Sequence, residues 1–347
     1  KDSYLSFAEQ AGHNSWLDLL RSLAIFLVLL RHGSGVTAHA PVDGFMANLF
    51  RNGWVGVDLF FVLSGYLIAS GLIRRSANHN GRFPAGYFRD RILRIVPAYY
   101  AVLLLCVVGI FPGFQIISEN PVQSFIAHIL FLQDYTGADI NVVFWSLGVE
   151  EKFYLAAPFI VFALWKPTNI RLGITLALLL LVASPLSRAI AFEGMGGVES
   201  YDEFFHTLRS PFHMSLDCFI VGILVAIAKS KGMILSQERA ATWLAGCVAV
   251  LFVWLGSHEF LADITGFDVW VQPSALALIF GLMVWCASSL PNRKPAFEPF
   301  FRVNARLSYA LYLIHYPLFP PALVWAHGPH PAGFGPFTLL LSTSGAL

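Results

Sequence analysis

Arg21 and His32 stand eleven residues apart inside the apolar run "DLLRSLAIFLVLLRHGS". In an α-helix that spacing is about 20° past three full turns and about 16 Å along the axis, so the two side chains share one face at different depths. A neutral imidazole there can accept a proton or attack an acyl carbon, which makes His32 a candidate general base or nucleophile. The competing readings are a structural histidine satisfied by its own surroundings and an arginine that snorkels to the nearer surface. Further ionisable groups interrupt three other apolar runs. Asp58 lies in "GWVGVDLFFVLSGYLIASGLIRR", Glu150 in "FWSLGVEEKFYLAAP" and His315 in "RLSYALYLIHYPLF". Glu150 shares a helix face with Ser146 and Tyr154 at i±4 spacing, and Ser308, Tyr312 and His315 fall close to one face of their own run. Glu151 and Lys152 are adjacent and read as neutralising each other; Ser34 and Ser64 read as packing residues. There is no G-x-S-x-G motif to supply a serine nucleophile.

A second constellation is basic. In "RRSANHNGRFPAGYFRDRILRIVPAYY", Arg91 and Arg94 have i, i+3 spacing on the first turns of an apolar segment. Two guanidiniums on one face make a planar, multidentate fork for phosphate, with Arg74 and Arg75 close by in sequence. The alternative is ordinary anchoring of a membrane protein by loop cations.

The elements that must position these groups are membrane helices. The chain has 347 residues, 56% of them hydrophobic and 12% charged, with a mean hydropathy of +0.65. That is more apolar surface than a soluble domain of this size can bury, and it falls in runs long enough to span a bilayer. The expected architecture is all-α: one polytopic helical membrane bundle of about ten transmembrane helices over residues 1–347, with a polar internal cavity. Ten segments fall near 16–37, 53–73, 95–111, 143–165, 171–190, 212–228, 241–256, 270–289, 303–326 and from Phe337 onward. The last has 11 residues before Leu347 against the roughly 20 a span needs, so it reads as cut short. Pro121 to Asp134 is apolar but short and reads as interfacial or re-entrant.

With a cytoplasmic N-terminus, 16 of the 22 lysines and arginines fall on the inner side, and three, Arg51, Arg188 and Arg209, on the outer side. Arg21, Arg31 and Lys152 lie within segments. A net charge of +1 with short basic clusters gives no nucleic-acid footprint. Cys106, Cys218, Cys247 and Cys286 lack ligand spacing and read as packing residues, with no metal site.

Five ordered motifs, Arg21-x10-His32, "GVDLFFVLSGYLI", "RDRILRIVPAYY", "WSLGVEEKFYL" and "SYALYLIHYPL", resemble the acyltransferase 3 family of integral-membrane acyltransferases over about residues 16 to 320. The resemblance implies about ten transmembrane helices in a bacterial inner membrane. It further implies an O-acyltransferase that moves an acyl group, most often acetyl from acetyl-CoA, to a hydroxyl of an extracytoplasmic polysaccharide or glycolipid. The family's motifs match Arg21, His32, Arg91, Arg94 and Glu150. On that reading Arg91 and Arg94, with Arg74 and Arg75, hold the phosphates of acyl-CoA, and Arg21 contacts the pantetheine arm or orders the cavity. His32 acts as general base or acyl carrier, and Glu150 or Asp58 fixes its tautomer and stabilises its charged form, as the acid of a Ser-His-Asp arrangement does. Ser146, Tyr154, Tyr312 and His315 are the candidate substrate contacts within the bundle. In the outer loops Asp134, Tyr135, Tyr201, Asp202 and His206 are sugar-contact candidates, each with a solvated-loop alternative. A transporter or flippase for a glycan or small anion remains the alternative class, since it also needs intramembrane charges.

Overall fold

The computed structural model describes residues 14–34, 44–78, 86–116, 118–262, 264–291 and 298–327. Among them every regular element is helical, and nine long helices follow the apolar segments in order. They are α1 Ser15–Ser34, α2 Gly56–Asn78, α3 Tyr87–Val107, α4 Trp145–Trp165, α5 Ile170–Met195, α6 Leu216–Ser230, α7 Gln237–Ser257, α8 Gln272–Ser289 and α9 Glu298–His327. The expected tenth segment lies outside the described residues. By length and composition four stretches are able to cross a membrane: Phe45–Asn78, which contains α2, then α5, α7 and Phe267–Ser289, which contains α8.

Local chemistry sets several of the helix ends. Asn14 caps α1, its side chain accepting from the amides of Trp16 and Leu17, and Asn169 caps α5 through the amide of Arg171. Gly86, at φ 85°, makes the left-handed turn into α3.

The bundle is organised around α2, which packs against α1, α4, α6 and α8. Its crossing with α6 is made at two glycines. A Cβ on Gly65 would collide with the Phe219 carbonyl, and one on Gly222 with the Val62 carbonyl, so the two backbones touch where side chains would hold them apart. Lipid tails are as apolar as leucine, so this close packing, more than burial from water, holds membrane helices together. Beside the crossing the Phe219 ring lies between Phe61 of α2 and Phe153 of α4, with centroids 4.7 and 4.1 Å away. The other side of the bundle is lipid-like: α5 exposes Ile170, Ile174, Leu178, Val182, Leu186 and Ile190 along its whole length.

Pro158 interrupts α4 and cannot donate to the carbonyl of Tyr154 one turn earlier. The Tyr87 hydroxyl donates to that carbonyl at 3.1 Å, which fastens the first turn of α3 to α4. Farther along α3, Tyr99 and Tyr100 donate to the carbonyls of His128 and Ile129 at the end of the helix Pro121–Ile129. At nine residues, about 13 Å, that helix is too short to cross a bilayer, in keeping with an interfacial or re-entrant piece.

Three charge assignments differ from expectation. Arg188 and Arg209, read as outer-loop cations, are buried inside the bundle, paired with Asp217 at 2.8 Å and Asp58 at 2.7 Å. Lys152 does not neutralise Glu151; its ammonium reaches Asp134 at 2.5 Å and the Phe131 carbonyl. Adjacent residues on a helix point about 100° apart, so Lys152 finds its partner on another element. Asp134, a proposed sugar contact, is consumed by that pairing and is 1% exposed. All four cysteines are buried and unbridged.

Candidate functional site

Twelve residues were singled out from the sequence for the bundle interior and the donor site, and nine of them line one cavity of about 400 Å³: Arg21, Arg74, Arg75, Arg91, Arg94, Ser146, Glu150, Tyr154 and Tyr312. The cavity is walled by α1, α2, α3, α4 and α9. Arg306 joins the arginines, giving six guanidiniums against the single carboxylate of Glu150, so the lining suits an anion. The Arg91 Nε is buried without a hydrogen-bond partner among the described residues. Arg75 is partly committed, since its Nη1 lies 3.0 Å from Asp90 Oδ2. That hydrogen bond holds the exposed Asp90 carboxyl below the usual range.

Glu150 sits deeper, where α2 and α4 face each other. Its carboxylate accepts from Tyr154 Oη at 2.9 Å and Ser64 Oγ at 3.2 Å. Ser64 therefore belongs to the cavity wall and is more than the packing residue expected from sequence. Farther in, Tyr312 of α9 and Ser146 of α4 are joined by a 2.6 Å hydrogen bond beside the Val143 carbonyl.

His32 lies beyond that joint, in a second pocket of about 60 Å³ that shares Val57 and Tyr312 with the first. Arg21 and His32 thus face two adjoining chambers from one side of α1, as their spacing requires. The imidazole's hydrogen-bond partner is His315, with His32 Nδ1 3.0 Å from His315 Nε2. His315 Nδ1 is within 2.8 Å of the Tyr312 carbonyl and 3.1 Å of the Leu311 carbonyl, so Nδ1 carries the proton and Nε2 of a neutral ring accepts. His32 must then donate from its own Nδ1, which leaves its Nε2 with a free lone pair. Tyr316 closes one side, its ring edge-on at 5.3 Å.

Neither carboxylate expected to fix this tautomer holds His32. Glu150 is engaged by Ser64 and Tyr154, and Asp58 by Arg209. His315, expected to contact substrate, takes the place foreseen for an acid. Arg209 also lines the small pocket, together with Arg31 and Tyr201. Of the outer candidates, Tyr201 reaches this pocket, Tyr135 packs on His213, and Asp202 pairs with His206 at 3.3 Å. The sequence reading missed Arg209, although an intramembrane Asp58 demands a cation and "FHTLRSPF" offers one within an apolar stretch. Among the described residues no group of three or more His, Cys, Asp or Glu side chains could hold a metal ion.

The acyltransferase 3 family model, an acyltransferase domain, matches residues 14–346. The chain belongs to this family. YrhL of Bacillus subtilis is 27% identical over 325 residues, covering 88% of this chain and 49% of that protein. The peptidoglycan O-acetyltransferase OatA of Listeria monocytogenes is 25% identical over 324 residues, covering 87% and 49%. The O-acetyltransferase OatA of Staphylococcus aureus is 28% identical over 325 residues, covering 87% and 50%. The chain spans about half the length of the curated relatives it matches. No solved structure matches it.

Proposed function

We propose that the chain is a membrane O-acyltransferase that moves an acyl group, acetyl in the first instance, from cytoplasmic acyl-CoA to a hydroxyl of an extracytoplasmic glycan. About ten transmembrane helices with a cytoplasmic N-terminus would put the arginine-lined mouth on the donor side. The observation that carries the reading is the pair of adjoining chambers, one lined by six arginines and the other holding an imidazole with a free Nε2, meeting at Tyr312. Arg74, Arg91, Arg94 and Arg306 suit the nucleotide phosphates, and the narrow pantetheine arm runs past Arg21 toward Tyr312. Relatives named as peptidoglycan O-acetyltransferases make the sugars of peptidoglycan the first acceptors to test.

His32 Nε2 takes the proton of the acceptor hydroxyl as its oxygen bonds to the acyl carbon; the carbon–sulfur bond then breaks and the proton passes to the departing CoA sulfur. The same nitrogen could instead carry the acyl group between two transfers. On either route His315 acts through His32 as a positioning residue.

The test is turnover of radiolabelled acetyl-CoA by the purified full chain in detergent, with and without soluble peptidoglycan glycan strands. Wild type should release CoA in an acceptor-dependent way. His32→Ala should bind CoA normally and lose about 10²- to 10⁴-fold in rate. A folded wild type that does not bind acetyl-CoA refutes the donor assignment and leaves the transporter reading in its place.

A further inference from the structure

Arg209 is a buried cation with one unused arm. It ends the π-helical turn Phe205–Arg209, and its guanidinium carbon packs 5.1 Å from the ring centres of both Trp54 and Trp145. Nη1 lies 2.7 Å from Asp58 Oδ1, whereas Nη2 and Asp58 Oδ2 have no hydrogen-bond partner among the described residues. A guanidinium and a carboxylate are able to form two parallel bonds, and here they meet at a single nitrogen–oxygen contact. The neighbouring buried pair behaves differently: both terminal nitrogens of Arg188 have acceptors, one at the Met214 carbonyl and the other at Asp217 and Ser274.

Stability does not account for the Asp58–Arg209 arrangement. Replacing a buried ion pair by apolar side chains of similar volume is often neutral or stabilising, and an unsatisfied buried N–H adds a cost. What the arrangement does provide is a positive group fixed by two indole rings and offset by one carboxylate, in the wall of the 60 Å³ pocket that holds His32. A donor held in place before charge develops needs no reorganisation when the charge appears, and in a low-dielectric site its effect is large.

We infer that Arg209 is a catalytic residue of the transfer, its free N–H receiving the acyl carbonyl oxygen as that oxygen becomes negative. The inference rests on the acyltransferase reading above. As the acceptor oxygen bonds to the acyl carbon and its proton moves to His32 Nε2, the carbonyl π pair shifts onto oxygen, opposite Arg209. When the carbonyl re-forms, the carbon–sulfur bond breaks and the sulfur takes the proton from His32. Asp58 offsets the arginine's charge before the oxyanion forms, and the indole rings hold its position.

Two variants separate this role from that of a structural counter-ion. Arg209→Lys keeps a cation for Asp58 but loses the second arm; the double variant D58N/R209M removes both charges and the donor together. Each is compared with wild type for melting temperature, CoA affinity and the rate of acetyl transfer from acetyl-CoA to peptidoglycan glycan strands. The expected result is near-wild-type CoA affinity and KM for acetyl-CoA with kcat lower by about 10²- to 10³-fold in both. Recovery of kcat to within about threefold of wild type in D58N/R209M would mean that Arg209 serves only Asp58, and overturns the inference. Full activity of Arg209→Lys overturns it equally and does not depend on the double variant folding. A folded wild type without transfer refutes the acyltransferase reading and this inference with it, whereas an active wild type with unimpaired variants refutes this inference alone.

Discussion

Replacing His315 tests the tautomer that the proposed chemistry needs. In His315→Ala the Nδ1–H of His32 loses its acceptor at 3.0 Å. A buried donor left without a partner costs about 1–3 kcal/mol, and that cost falls on the tautomer whose Nε2 is free. The alternative tautomer puts the proton on Nε2, where it blocks both the general base and the nucleophile. A bias of that size corresponds to about a 5- to 150-fold loss in kcat. His315→Gln restores a carbonyl acceptor on a side chain of similar reach and should recover most of the rate. KM for acetyl-CoA should stay within about twofold of wild type in both variants, because the arginines of the large cavity are untouched. The assay is acetyl transfer to glycan strands over a range of acetyl-CoA concentrations. An unchanged kcat in His315→Ala, a loss as deep as that of His32→Ala, or a Gln variant no better than Ala would each refute the positioning argument.

Arg94→Gln should raise KM for acetyl-CoA about 10- to 150-fold with kcat nearly kept, since a lost charge-assisted bond to phosphate is a binding term of about 1.5–3 kcal/mol; titration of CoA binding checks it. Tyr87→Phe should lower the thermal stability of the detergent-solubilised chain, because it leaves the Tyr154 carbonyl beside Pro158 without its donor, at a cost of about 1–3 kcal/mol. Tyr312→Ala should merge the two chambers and admit water to the thioester, raising acceptor-independent CoA release relative to transfer, because a closed site is what protects a reactive group from hydrolysis. An unchanged ratio would show that Tyr312 does not divide the two chambers.

What could be read from the sequence was local geometry. The register of Arg21 and His32, the i, i+3 pair of Arg91 and Arg94 and the i±4 set of Ser146, Glu150 and Tyr154 follow from the rise and turn of one helix, and nine of the twelve residues chosen for the bundle interior and the donor site line the same cavity. Partners across helices were not legible in that way, because they depend on how each helix is rotated about its axis against its neighbours. His315 in place of a carboxylate, Arg209 for Asp58 and Asp134 for Lys152 are all of this kind. A search for the counter-charge of each intramembrane acid would have flagged Arg188 and Arg209, whose neighbours in sequence are largely apolar.

Hydropathy fails in three of the helices that line the arginine-rich cavity. In α1, α3 and α4 every 18-residue window contains at least three charged residues, so none passes a test of plain membrane-crossing composition. Those three helices supply Arg21 and His32, Arg91 and Arg94, and Glu150. The passing stretches contain α2, α5, α7 and α8; of these, α5 shows how little such a helix must bury, with 11% of its apolar window covered by the protein. A span that faces lipid must be apolar, whereas one that lines an internal cavity has side chains facing polar groups and tolerates charge. The departures from plain hydropathy are therefore evidence of where the cavity lies. They mark three of the five walls of the arginine chamber, α1, α3 and α4, before any contact across helices is known, whereas α2 lines the same chamber with a plainly apolar composition.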